Sequence, residues 1–143
     1  MNSSWICIDA SLLVRLMMGP NATKLETQLA DWEKSGIQLA APSLVHYEVS
    51  NALYQYHRLE FISKEALLLA QDAVLALPVQ LFSDNSLHKK AIQLATQFNL
   101  PAAYDAHYLG LAQHLGAEFW TADKKLFKKV KLALDWVCLW SPS

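Results

Sequence analysis

Cysteine is scarce in this chain: Cys7 and Cys138 are the only two in 143 residues, and they form no C-x-x-C pair. Such usage suggests neither a disulfide framework nor a zinc site, and both residues read as small core side chains inside apolar strands. Charge is sparse as well. Charged residues make up 17% of the sequence and the formal net charge is −1, which is not the signature of a protein that coats nucleic acid. No run approaches the roughly 18 to 20 consecutive apolar residues that a membrane span needs. The first apolar run has no basic segment ahead of it and is broken by Asp9, so a secretory signal is not expected and the cytoplasm is the default compartment. H-E-x-x-H, glycine-rich phosphate-loop and G-x-S-x-G motifs are also absent.

What is present describes one globular domain over residues 1–143, with 53% hydrophobic residues and enough chain to bury a core without staples. Short apolar runs rich in β-formers fall at Trp5–Ile8, Ile37–Ala41, Val79–Phe82, Glu118–Thr121 and Trp136–Trp140. Between them, helical periodicity covers about Ala10–Met18, Thr23–Lys34, Pro42–Leu59, Lys64–Ala76, Ser86–Phe98 and Ala103–Leu115, with a short helix from Lys124. Strands that alternate with helices and are apolar on both faces imply a parallel sheet covered on both sides. Punctuation agrees: Pro42 is expected to open its helix, Ser63 to cap the next, and Gly36 and Gly116 to stop helices before strands.

Four acids stand where apolar or neutral residues would be expected. Asp9 ends the first strand and Asp123 follows the fourth, and ligands of open parallel sheets bind outside the carboxyl ends of strands. Either acid also suits an N-cap, a common task at strand-to-helix junctions. At about 100° per residue, Asp105 shares a helix face with Tyr108, Leu109 and Ala112, in the middle of an apolar stripe. The helix dipole offers a simpler reason for an acid in that first turn. Glu48 sits at the edge of the stripe formed by Val45, Val49, Ala52, Leu53 and Tyr56, although mid-helix glutamate is usually only a solvated helix former. Ser11 and Thr121 flank the two strand-end acids and could serve the same crevice or cap locally.

With these residues the sequence resembles the PIN-domain ribonucleases, most closely the VapC-type toxins of type II toxin–antitoxin pairs. The resemblance rests on the strand ending in "DAS" at Asp9, "APSLVHYEVSNAL" with Glu48, "YDAHYLGLA" with Asp105 and "FWTADKKL" with Asp123. It implies a three-layer α/β/α PIN-like fold with a central parallel five-stranded sheet in order 3-2-1-4-5. It further implies that Asp9, Glu48, Asp105 and Asp123 converge to bind Mg²⁺ or Mn²⁺, with Ser11, Asn51 and Thr121 as polar neighbours. An RNA substrate, a cognate antitoxin and a homodimer are the implied partners.

The chemistry suits the residue types. Clustered carboxylates repel one another and take up protons unless a cation is present, and hard oxygen ligands match Mg²⁺ or Mn²⁺, which leave positions open for water and phosphate. Histidine is not expected at the site, because His107 and His46 each lie about 200° around their helices from Asp105 and Glu48; His107 and His114 read as surface residues. Lys124 and Lys125 begin a basic cluster with Lys128, Lys129 and Lys131, and the first two are candidates to meet flanking phosphates. Two alternatives remain at this point: a haloacid dehalogenase-like phosphatase, which would need a second Asp where Ser11 stands, and a catalytically silent PIN scaffold used for protein binding, with Trp32, Trp140 or another aromatic marking its contact surface.

Overall fold

The structure, a computed structural model, describes residues 4–142. Its centre is β1 (Trp5–Ile8), whose Ile6, Cys7 and Ile8 are all buried, as apolar residues covered on both faces of a sheet must be. On one side β1 pairs with β2 (Gln38–Pro42), and β2 with β3 (Val79–Phe82). On the other side it pairs with β4 (Glu118–Thr121), which pairs with β5 (Val137–Leu139). Every pairing is parallel and the order is β3-β2-β1-β4-β5, the topology implied by the resemblance. Both ladders flanking β1 leave Asp9 just past its carboxyl end.

Helices fill the connections, as parallel neighbours require. They are α1 (Ala10–Met18), α2 (Ala22–Lys34), α3 (Leu44–Arg58), α4 (Lys64–Leu75), α5 (Ser86–Gln97), α6 (Tyr104–Leu115) and α7 (Lys124–Val130). Three helices have side-chain caps: Asp9 accepts from the Leu12 N–H, Ser63 from Ala66, and Asp123 from Lys125 and Leu126. Gly36 and Gly116 adopt positive φ, 77° and 63°, a conformation that costs a side chain energy and ends the preceding helix cleanly. α6 packs against α5 and also touches β1, β2 and β4. Its residues Ala106, Tyr108, Leu109, Gly110, Leu111 and Ala112 are therefore buried almost all round, and Asp105 enters the same environment from the first turn.

Several sequence expectations shift. Pro42 does not open α3 but ends β2, in register with Phe82, because β3 extends past the last β1 partner and Ser43 N–H still bonds to the Phe82 carbonyl. Cys7 is buried, whereas Cys138 is only half-buried, since β5 lies at the edge of the sheet. Trp32 and Trp140 belong to the core, which removes them as a contact surface. His114 is exposed as expected, but His107 is half-buried and its Nε2 lies 2.9 Å from His88 Nδ1 on α5. Among the described residues no helix is long and apolar enough to cross a membrane.

The position of α6 sets the position of Asp105, so its packing is open to test. Leu109 is completely buried, and Leu109→Ala should cost about 2–5 kcal/mol through lost contacts and a residual cavity. Leu132, 96% exposed, should tolerate alanine within about 0.5 kcal/mol. Urea denaturation of the two variants checks the contrast, and equal losses would mean that α6 is not seated as described.

Candidate active site

Asp9 is 4% exposed and nevertheless carries four oxygen lone-pair directions that need partners. Ser11 Oγ donates to its Oδ1 at 2.5 Å, Thr121 Oγ1 donates to its Oδ2 at 2.5 Å, and the Leu12 backbone N–H reaches Oδ1 at 3.2 Å. These bonds tie the loop after β1 to the end of β4. Ser11 Oγ also accepts from the Ala122 N–H at 2.9 Å, and Thr121 Oγ1 from the Asp123 N–H at 3.0 Å. The two hydroxyls thus couple Asp9 to the backbone that carries Asp123, and both sequence candidates, Ser11 and Thr121, take structural form as clamps on Asp9.

Asp123 caps α7, with its Oδ1 2.9 and 3.1 Å from the N–H groups of Lys125 and Leu126. Glu48, half-buried on α3, accepts from the Tyr108 hydroxyl at 2.5 Å across the α3–α6 gap. Sequence reasoning placed Tyr108 only in the apolar stripe. A buried tyrosine hydroxyl needs a partner, and this one finds an acid on the facing helix. Asn51 is exposed one turn beyond Glu48, and its side chain accepts from Gln55 rather than meeting any of the four acids. Lys124 and Lys125 are exposed in the first turn of α7, directly beside Asp123.

The four acids share one electrostatic neighbourhood. Burial pushes Asp9 up from 3.8 to about 6 in spite of its hydrogen bonds, and the charge of Asp105 adds to the rise. Asp105 is likewise raised to about 6, first by burial and then by the charges of Asp123 and Glu48. Tyr108 is pushed above its ordinary value by burial, by its bond to Glu48 and by the charges of Glu48, Asp9 and Asp105. No Lys or Arg among the described residues pairs with these carboxylates, and no three His, Cys, Asp or Glu side chains form a closed ligand set. Instead, Asp9 and Glu48 direct their oxygens at hydroxyls. A donor set of hard carboxylate oxygens with uncompensated charge fits a hard divalent cation, and soft or imidazole ligands are not part of it.

A cleft of about 580 Å³ opens beside these residues between α1 and α3, lined at one end by Ser11, Glu48 and Ala122. A larger cavity of about 800 Å³ lies at the starts of β2 and β3 and includes none of the four acids. Of these two cavities, the smaller is the one that reaches an acid, Glu48.

An α/β sheet with acids gathered past the carboxyl ends of its central strands defines a class of site before it defines a family. The PIN domain family matches residues 6–132, and the chain belongs to it. The phosphatase alternative is thereby set aside. Among solved structures, the chain is similar to PAE2754 from Pyrobaculum aerophilum, with 28% identity and a TM-score of 0.67 over 90% of this chain and 88% of that one. It is also similar in fold to a toxin–antitoxin complex from Klebsiella pneumoniae (19% identity, TM-score 0.67, 96% and 98% covered). A third similar fold is that of VapC20 from Mycobacterium tuberculosis, a sarcin-ricin loop cleaving toxin (14% identity, TM-score 0.62, 90% and 95% covered). No curated protein matches the chain.

The raised acids make stability depend on pH with a definite sign. Folded Asp9 and Asp105 bind protons more tightly than the ordinary value of 3.8, so the folded state holds the extra protons between about pH 4 and about pH 6. By linkage, stability present below about pH 4 is lost as pH rises through about 6. In metal-free buffer at pH 7, Asp105→Asn should melt roughly 3 °C or more above the parent chain, with the two converging near pH 4. Mg²⁺ at pH 7 should raise the parent's Tm more than the variant's. Thermal melts across this range check both expectations, and parallel curves would show that the acids do not burden the fold.

Proposed function

We propose that the protein is a Mg²⁺- or Mn²⁺-dependent endoribonuclease that hydrolyses RNA phosphodiester bonds in the cytoplasm, the toxin of a toxin–antitoxin pair. The observation that carries this reading is the uncompensated charge of buried Asp9 and half-buried Asp105, each raised to about 6 with no cationic side chain among the described residues paired to it. Membership of the PIN domain family and the likeness to a toxin–antitoxin complex and an RNA-cleaving toxin support it.

Asp9, Glu48, Asp105 and Asp123 are the residues that would hold the ion. When bound, it supplies charge neutralisation at the phosphate and acidification of the attacking water. Ser11 and Thr121 hold the Asp9 carboxylate in one orientation by donating to both its oxygens, which fixes a ligand before any ion arrives. Tyr108 donates to one oxygen of Glu48 from the opposite helix. Lys124 and Lys125, free to extend from α7, meet phosphates flanking the scissile bond and position the strand without reading its bases.

Cleavage of a labelled single-stranded RNA should require added Mg²⁺ or Mn²⁺ and vanish with EDTA. Asp9→Asn, Glu48→Gln, Asp105→Asn and Asp123→Asn should each lower the rate by about 100-fold or more, in line with loss of a metal ligand. Asp9→Asn should remain folded, because Asn caps α1 about as well as Asp. Full activity of the Asn variant would reduce Asp9 to a helix cap and reject the metal role. A folded protein that binds RNA but never cuts it would favour the silent scaffold.

We further propose a homodimer held inactive by a small antitoxin that occupies the acidic crevice. Exposed apolar side chains on α3 and α4, among them Tyr47 at 76% and Leu69 at 70%, provide surface for such contacts. An Arg or Lys of the antitoxin would answer the carboxylate charge by charge-assisted hydrogen bonds. Inhibition by the product of the neighbouring gene should then weaken as Mg²⁺ rises at constant ionic strength, and light scattering should give twice the monomer mass. Inhibition indifferent to Mg²⁺ would place the antitoxin elsewhere.

A further inference from the structure

Arg15 stands in the last turn of α1, on the wall of the cleft that carries Ser11 and Glu48 at its other end. It is half-buried, yet its guanidinium makes no hydrogen bond or ion pair with any described residue; the ring of Trp140, 6.0 Å away, is what it faces. An arginine offers five N–H donors in a rigid fork, and leaving them all without a protein partner inside a cleft is unusual for a structural cation. Among the described residues Arg15 is also the one cationic side chain lining this cleft.

The surroundings hold its stem in place. A Cβ at Gly19 would lie 2.1 Å from Arg15 Cδ, 2.9 Å from its Cγ and 2.7 Å from its backbone oxygen, so the stem crosses the α1 C-terminus where only glycine leaves room. Gly19 has an ordinary φ of −84°, and close approach, not backbone conformation, accounts for it. Trp140, buried in the core, fixes the other side. Arg15 lies one turn from Ser11, about 6 Å along the helix axis, the scale of one nucleotide step. Tyr56, 37% exposed, adds an aromatic face to the same cleft, and exposed aromatic faces are what unstacked bases rest on.

We propose that Arg15 grips the phosphate adjacent to the scissile one in a single-stranded RNA laid along the α1–α3 cleft, with Gly19 and Trp140 setting its position. This rests on the ribonuclease reading and names where its substrate runs. Arg15 is a binding residue, since the carboxylates and not the guanidinium lie at the bond to be cut.

The test is fluorescence anisotropy of a short labelled single-stranded RNA with the full chain carrying Asp9→Asn to suppress cleavage, in Mg²⁺, over a series of salt concentrations. Arg15→Met, which keeps an apolar stem against Gly19 and Trp140, should weaken binding about tenfold and reduce the slope of log affinity against log salt by about 0.7, the loss of one phosphate contact on a single strand. Its melting temperature should stay close to the parent's, and Lys34→Met, exposed at the end of α2, should leave the slope unchanged. Gly19→Ala should weaken binding while the arginine charge remains. In the otherwise unaltered chain, Arg15→Met should raise KM with kcat retained. RNA binding with the parent's affinity and slope in Arg15→Met overturns the proposal alone. No RNA binding by the parent at any salt overturns it together with the ribonuclease reading.

Discussion

Asp9 sits 4% exposed at the end of the central strand, and a carboxylate buried so deeply has to have its charge answered. Two hydroxyls and one backbone N–H answer part of it, yet burial still raises its proton affinity. Asp105 approaches from α6 with its own charge and deepens the deficit. Hydrogen bonds to the charged form offset desolvation only in part, and like charges work against one another, so the site is strained toward a cation or a proton. The rest of the architecture can be understood as the means of holding that tension. β1 and β4 are adjacent in the sheet, which lets Ser11 and Thr121 clamp one acid and orient the loop of another. α3 carries Glu48, bonded to Tyr108 of α6, and its charge acts on Asp105 of that same helix.

Holding unfavourable charge costs stability, and a core must offset it. Ile8, Leu12, Leu13, Val45, Val49, Leu109 and Phe119 are essentially inaccessible to water and surround the elements that bear the acids. Each such side chain stabilises by about 1.5–3 kcal/mol on burial, which sets the scale against which a strained carboxylate can be tolerated. On the proposed reading stability and function pull in opposite directions here, as they do at many ligand sites.

Most of the fold was legible in the sequence because the signals were redundant. Apolar runs marked five strands, helical periodicity filled the gaps, and Ser63, Gly36 and Gly116 punctuated them as the structure does. Pro42 misled because proline suits both the first turn of a helix and a strand end with no further ladder partner, and only the length of β3 decides between them. Cys138 and the two buried tryptophans depended on which strand lies at the sheet edge and what packs over it, facts of three-dimensional order. The acids were legible for the opposite reason: Asp105 interrupts an apolar stripe and Asp9 ends a buried strand, so each violates the local pattern. Tyr108 and Arg15 violate nothing locally. A tyrosine in an apolar stripe and an arginine near a helix C-terminus are ordinary, and their significance lies in what they face across the fold. Asn51 shows the converse, a residue implied by the resemblance whose side-chain oxygen accepts from Gln55.

The proposed metal role of the four carboxylates can be tested directly. Crystals of the full chain soaked in Mn²⁺ and measured at the manganese absorption edge would show anomalous density directly. An ion bound by oxygens of Asp9 and at least one of Glu48, Asp105 and Asp123, at the metal–oxygen distances of about 2.0 to 2.6 Å expected for hard divalent cations, is the predicted result. Manganese absent from this cluster at saturating concentration, or bound only at a site remote from Asp9, would contradict it.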